Sequence, residues 1–313
     1  MSKQSDGNAK SVGKGGWAEV SKSEPCEICD SDHWCTRNVD GRRCCMRIKS
    51  DTPMRNGGWL HRGDAPTVVV ERPRERRITD TELANRFGPL ARACYVKQGG
   101  AIMELAGRLG VTTDSLDRLH VGFDGLGWTF PEQNHRGQVI GINRRFSDGG
   151  KVCYVGSRRG LTYADDWADA GGPILLVEGG SDVAAGVMMG LCVVGRPSNT
   201  GGVEYLIRLL GRHTDRKIVI LAERDEKDRS ILVRHDSACR CCGQCFSGKF
   251  GAVETSKRLS RKLERIVQWT FLPDGAKDLR AWVNRQKAEP NNSPAMERLG
   301  HSLLRRIEHG IKR

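Results

Sequence analysis

The sequence predicts an α+β multidomain protein with three parts. These are an N-terminal cysteine-bearing β-ribbon, a mixed α/β lobe, and a C-terminal α/β domain on a mostly parallel four-stranded sheet. Three observations predict it. Cysteines at 26, 29, 35, 44 and 45 crowd a short polar segment rich in Trp and Gly. Residues 80–165 mix short helical and strand patterns. From 172 to 286, apolar runs of strand length alternate with stretches of helical period. Such alternation implies a parallel sheet covered by helices on both faces. A chain of 313 residues has room for all three parts.

The first segment, 1–23, opens MSKQSDGNAKSVGKGG and reads as a disordered tail. It lacks the apolar stretch of a secretory signal, and no run of 18 apolar residues suits a membrane span. The expected location is the cytoplasm, where thiols stay reduced. The chain's 12 cysteines then read as metal ligands or buried apolar residues before they read as disulfides.

Residues 24–63 contain CEICDSDHWCTRNVDGRRCCMR. Cys26-x₂-Cys29 forms one knuckle, and Cys35 with either Cys44 or Cys45 completes four thiolates, a closed structural Zn²⁺ site. The VDGR sequence at 39–42 suits a hairpin turn between the halves. Cys44 and Cys45 face opposite sides of a strand, so only one ligates. A metal would fold a segment too short and polar to fold alone. Residues 64–79 are charged, contain proline and suit a linker.

The lobe at 80–170 carries Arg144, Arg145, Lys151, Arg158 and Arg159 on its strands. In the domain at 171–286, PILLVE, LCVVGRP, RKIVILAERDE and IVQWTFLP are the strands. The helices between and after them are SDVAAGVMMGL, with Ser181 as N-cap, VEYLIRLLGRH, GAVETSKRLSRKLER and KDLRAWVNRQ. Ligands of such sheets bind at the carboxyl ends of the strands. Glu178 lies there on the first strand, and Glu223 and Asp225 on the third; Asp182 sits one turn into the following helix. Converging carboxylates repel one another unless a cation joins them, and hard oxygen ligands suit Mg²⁺ or Mn²⁺. Gly179 and Gly180 permit a sharp turn and close approach of a phosphate. The device fits metal-assisted phosphoryl transfer. Arg196 and Asn199, in the GRPSNTGG loop, lie at the same edge within reach of a nucleotide.

An insertion at 229–250 follows the acids and carries HDSACRCCGQCF. Cys239, Cys242 and Cys245 have x₂ spacing, and Cys241 or His235 completes a second Zn²⁺ knuckle. Cys94, Cys153 and Cys192 sit in apolar contexts and read as core. Residues 287–313 read as a basic C-terminal tail ending in a helix-like stretch, MERLGHSLLRRIEHGIKR. Lys and Arg outnumber Asp and Glu by 51 to 38, a formal charge of +13, which favours an anionic partner such as nucleic acid. No G-x-x-x-x-G-K-[ST] loop occurs, so any helicase is a separate chain.

The E-G at a strand end, followed by acid-x-acid after a later strand, resembles the Toprim domain of primases, topoisomerases and related nucleases. The preceding segment adds WTFP, GQVIGINRR and GKVCYVGSRRGL in order, and 80–286 as a whole resembles a bacterial-type DNA primase. Within that family the likeness runs to stand-alone primase-like proteins of phage and planctomycete type.

The resemblance implies a primase catalytic lobe at 80–170 and a Toprim domain at 171–286. The implied activity is a nucleotidyltransferase making primers on single-stranded DNA from nucleoside triphosphates. Glu178 would be the general acid/base or a metal carboxylate, Glu223 and Asp225 the metal pair, and Lys277-Asp278 the closing residues. The five basic residues would face template and triphosphate. The ribbon would touch single-stranded template through Trp34, Trp59, Arg42, Arg43 and Arg47, with Cys45, in its C-x-R context, as the fourth zinc ligand. One departure is that the usual Asp-x-Asp is Glu223-Arg224-Asp225 here, with Arg224 directed to the opposite face. Two other readings are a Toprim nuclease and a nucleic-acid-binding protein whose site has decayed.

Overall fold

The structure, a computed structural model, describes residues 16–38, 41–54, 57–62, 78–224, 247–286 and 293–310. Contacts divide the chain into two compact units, Met1–Arg77 and Ile78–Arg313. Among the described residues no helix is long and apolar enough to cross a membrane.

The first unit is an antiparallel sheet of β1 (Trp17–Glu19), β2 (Thr36–Asn38), β3 (Arg43–Cys45) and β4 (Trp59–His61), in that order. Strands of three residues bury little, and the core is correspondingly small. It consists of Val20, Cys26, Cys35 and Cys45, with Ile28, Cys29, Met46 and Ile48 packed against them.

The ligand atoms of Cys26, Cys29, Cys35 and Cys45 all lie within 4.8 Å of one another. The sulfurs of Cys29 and Cys35 are 3.7 Å apart, and those of Cys35 and Cys45 4.0 Å. Four sulfurs at about 2.3 Å from a tetrahedral Zn²⁺ would be about 3.8 Å apart, so the cluster has the size of a zinc site. Backbone N–H groups of Met46 (3.4 Å) and Ile48 (3.2 Å) donate to the Cys35 and Cys45 sulfurs, respectively. Such donors favour thiolate. Burial opposes it, pushing the Cys29 thiol up to about 11 and Cys35 higher still. A cation resolves that conflict by compensating the charge that burial disfavours. Cys44 is buried on the other face of β3, so close beneath Gly58 that a Cβ there would come within 2.6 Å of its sulfur. Strand alternation thus selects Cys45 over Cys44.

The second unit begins with three helices, α1 (Asp80–Val96), α2 (Ala101–Leu109) and α3 (Thr113–Asp117). Thr79 and Glu82 close a capping box at the start of α1, and Leu83, Phe87, Ala91 and Cys94 form its buried stripe. An antiparallel meander follows: β5 (Gly122–Phe123), β6 (Trp128–Gln133), β7 (Val139–Arg145) and β8 (Lys151–Cys153).

The parallel sheet has strands β9 (Ile174–Glu178), β10 (Val193–Arg196), β11 (Ile218–Ala222) and β12 (Val267–Phe271), in the order β10-β9-β11-β12. Its helices are α4 (Gly180–Met188), α5 (Val203–Leu210), α6 (Ser247–Leu263), α7 (Leu279–Arg285) and α8 (Ser293–Gly310). The strand runs are apolar throughout because both faces are covered. Leu175, Val177, Val219 and Leu221 join one core; Ile174, Leu176, Ile218 and Ile220 join the other.

One expectation is corrected here. Ser181 is not the N-cap of α4; Gly179 is, at φ 79° and ψ 163°, and the helix starts at Gly180. The strand passes into the helix through one residue, and that conformation is open essentially to glycine alone. The helix-like stretch expected within 287–313 is the helix α8. Met296, Leu303 and Ile307, with the half-buried Leu299, recur at helical spacing and place α8 in the same core as Met189 and Leu191. Its basic residues lie between those positions.

Cys45→Ser should lower the zinc content measured by plasma mass spectrometry by about one equivalent per chain, while Cys44→Ser leaves it unchanged. Gly179→Ala should cost about 1–3 kcal/mol in urea unfolding of the second unit, whatever space surrounds it.

Candidate active site

The carboxyl edge of the parallel sheet opens into a cleft of about 460 Å³ within the second unit. Glu178 ends β9, level with Arg196 on β10. Glu223 follows the last residue of β11. The turn through Gly179 sets the first turn of α4, with Asp182, beside them. Gly180 must be glycine because a Cβ would come within 2.5 Å of the Phe130 ring. Lys277, Asp278 and Arg280 enter from the start of α7. The opposite wall comes from the meander, with Asn143, Arg145, Lys151 and Cys153, and from Arg159.

Asp182 is 3% exposed and accepts a hydrogen bond from the Arg280 backbone N–H at 3.0 Å. Burial and the nearby charge of Asp278 push its carboxyl up to about 8. Asp278 caps α7 by accepting from the Ala281 N–H at 2.7 Å. The Arg224 N–H donates to the Lys277 carbonyl at 2.9 Å, which ties the end of β11 to this segment. The Arg224 guanidinium lies 4.2 Å from the centre of the Phe271 ring, outside the cleft lining, as the alternation of an extended chain requires.

The cations are as crowded as the acids. Burial, then the charge of Arg145, holds the Lys151 ammonium below its ordinary range, against the pull of Asp182 and Glu223. Burial and Arg280 likewise lower Arg145. Arg196 is 1% exposed; burial disfavours its charge while Glu178 and Glu223 attract it. Its Nη1 donates to the Asn199 carbonyl. Arg159 is fixed by Glu132, whose two oxygens accept from its Nε at 3.0 and 2.9 Å.

The site therefore gathers Glu178, Asp182, Glu223, Asp278, Lys277, Arg145, Lys151 and Arg159. It does not gather Arg144 or Arg158. Arg144 donates to Asp124 at 2.6 Å and stacks on Tyr154, while Arg158 donates to Asp80 and the Ile78 carbonyl. Each neighbours a cleft residue in sequence and faces the other way. Asp225, His235, Cys239, Cys241, Cys242 and Cys245 lie outside the described residues.

Among the described residues, no three carboxylates bring their oxygens within 4.8 Å of one another, as the four cysteines do with their sulfurs. Mg²⁺ commonly takes one or two carboxylates, with water and substrate phosphates completing its shell. The oxygen donors lining the cleft fit that mode, and Glu178, Asp182, Glu223 and Asp278 are the residues that would hold such an ion.

Arg280 and Glu132 were not legible as site residues. Arg280 carried one signal: a cation in the first turn of a helix opposes the macrodipole, which suggests another role. Within the first unit, Trp34 is 71% exposed, whereas Trp59 is half-buried with the Lys49 ammonium 5.8 Å from its ring centre. Arg43 pairs with Glu27 at 2.9 Å, and Arg47 reaches His33 at 3.0 Å.

No protein-family model and no curated protein matches the chain. Among solved structures, it is similar to a DNA primase domain from Pseudomonas aeruginosa, with 16% identity and a TM-score of 0.48 over 72% of this chain and 78% of that one. It is similar to the RNA polymerase domain of Mycobacterium tuberculosis primase, with 16% identity and a TM-score of 0.47 over 73% and 84%. It is likewise similar to the E. coli primase catalytic core, with 17% identity and a TM-score of 0.46 over 70% and 80%.

Proposed function

We propose that the chain is a primase-like nucleotidyltransferase that makes short primers on single-stranded DNA from nucleoside triphosphates. One observation carries this reading: acids and cations crowd together in one cleft at the carboxyl edge of a parallel sheet. Acids without a cation repel, and cations without an anion repel. A divalent ion bearing a polyphosphate relieves both at once. Charges of both signs gathered before substrate arrives are what phosphoryl transfer draws on, and this supports the reading.

In this reading the primer 3′-hydroxyl gives up its proton to Glu178 as its oxygen attacks the α-phosphorus, the bond from that phosphorus to the bridging oxygen breaks, and pyrophosphate leaves. Bound divalent ions would supply charge neutralisation at the attacking and leaving oxygens. Arg145, Lys151 and Arg159 hold the triphosphate, the last oriented by Glu132. Glu178 and Glu223 orient the reacting groups from the strand ends, and the Gly179 turn lets phosphate approach the backbone. The zinc-ribbon unit offers Trp34 to template bases. A separate helicase chain would expose the single-stranded template.

Incubation with single-stranded DNA, labelled nucleotides and Mg²⁺ tests the proposal. Short labelled oligomers are expected, with Glu178→Gln reducing their formation at least about a hundredfold and leaving DNA affinity within about twofold. A shortened template would instead indicate a nuclease, and salt-sensitive DNA binding with neither product a decayed site. Lys151→Ala should raise KM for the nucleotide by about tenfold or more, because it removes a triphosphate contact.

A further inference from the structure

A second cavity, of about 410 Å³, opens elsewhere in the second unit and shares no lining residue with the cleft. Its walls come from the loop between β6 and β7, the first turn of α1 and the start of α5. Arg158 reaches this cavity while its neighbour Arg159 reaches the cleft. The acid at its base is already satisfied. Asp80 accepts from Arg158, from the Tyr205 hydroxyl at 3.0 Å and from the Asn134 amide at 3.2 Å. Glu204 is exposed and faces Arg258 at 4.0 Å.

What remains is cationic and aromatic. Arg136 and Arg208 line the cavity with exposed side chains, and no hydrogen bond or ion pair holds either guanidinium among the described residues. The rings of His135 and Tyr205 are nearly parallel, at 18°, with centres 6.4 Å apart. Nδ1 of His135 is buried and has no hydrogen-bond partner among the described residues. Burial, then the charges of Arg208, Arg136 and Arg212, holds that imidazole below its ordinary range, an independent sign of the local positive field. A flat aromatic face beside two uncommitted guanidinium groups matches a nucleotide, with its base on the rings and its phosphates on the arginine forks.

We propose that this cavity is a second nucleotide-phosphate site, in which Arg136 and Arg208 take phosphate and the His135–Tyr205 face takes a base. The nucleotide is either free or one unit of a single strand; the chemistry is shared. The site needs neither the metal nor the cleft, so it stands or falls apart from the primase reading.

The test is hydrogen–deuterium exchange with binding anisotropy on the full chain in EDTA, using etheno-ATP in one arm and a fluorescein-labelled oligothymidylate in the other. At least one probe should protect the amides of 134–138 and 203–210. Arg136→Ala/Arg208→Ala should weaken that probe about tenfold and abolish the protection, and Lys151→Ala should leave the protection in place. Both arginines are exposed, so the double variant should melt like the wild type. Tyr205→Leu should weaken the nucleotide probe while inorganic pyrophosphate still competes as before. Protection by etheno-ATP alone marks a free-nucleotide site, and protection by the oligonucleotide alone a strand site. Absence of protection by either probe, or unchanged affinity in the double variant, overturns the proposal.

Discussion

The structure depends on a charge conflict held in place by backbone geometry. A parallel sheet buried on both faces must place its polar residues at the strand ends, and here those ends carry Glu178 and Glu223. Around them the fold packs the buried Asp182, the helix-capping Asp278 and the cations Arg145, Lys151, Arg196 and Arg280. Lys151 is held down by burial and by Arg145 even though acids attract it, and the Asp182 carboxyl is pushed up by burial and Asp278 although Arg280 and Lys151 favour its charge. A region in which both signs are disfavoured is stabilised by a ligand that supplies both.

The zinc ribbon solves the same kind of problem by a closed route. Its strands of three residues bury too little for an independent core. Four sulfurs in the arrangement of a tetrahedral metal site make up the deficit. The two clusters differ in form: the four sulfurs close on one another, whereas the carboxylates line an open cleft.

Much of this was legible in the sequence, for identifiable reasons. The four parallel strands were readable because continuous apolar runs arise when both sheet faces are covered. The four cysteines that meet were readable from spacing, with Cys45 over Cys44 taken from the resemblance, and the direction of β3 supplies the physical reason. That same fact made Arg144 unreadable, because it and Arg145 look alike in sequence but point to opposite faces of β7; Arg158 and Arg159 diverge in the segment after β8, where no alternation announces it. The expected Ser181 cap failed because the strand-to-helix turn needed only Gly179, whose positive φ replaces a side-chain cap. The place of α8 was visible in its apolar spacing, but its basic composition concealed it. The second cavity could not be read at all, because residues 80, 135, 158 and 205 meet only after folding.

The most direct measurement is Mn²⁺ binding by electron paramagnetic resonance, with and without a non-hydrolysable nucleoside triphosphate. Wild-type protein should bind Mn²⁺ weakly alone and about tenfold more tightly with nucleotide, since substrate phosphates complete the shell of the ion. Glu178→Gln/Glu223→Gln should lose that enhancement. Equal Mn²⁺ affinity in the double variant and the wild type, or affinity indifferent to nucleotide, would contradict the account.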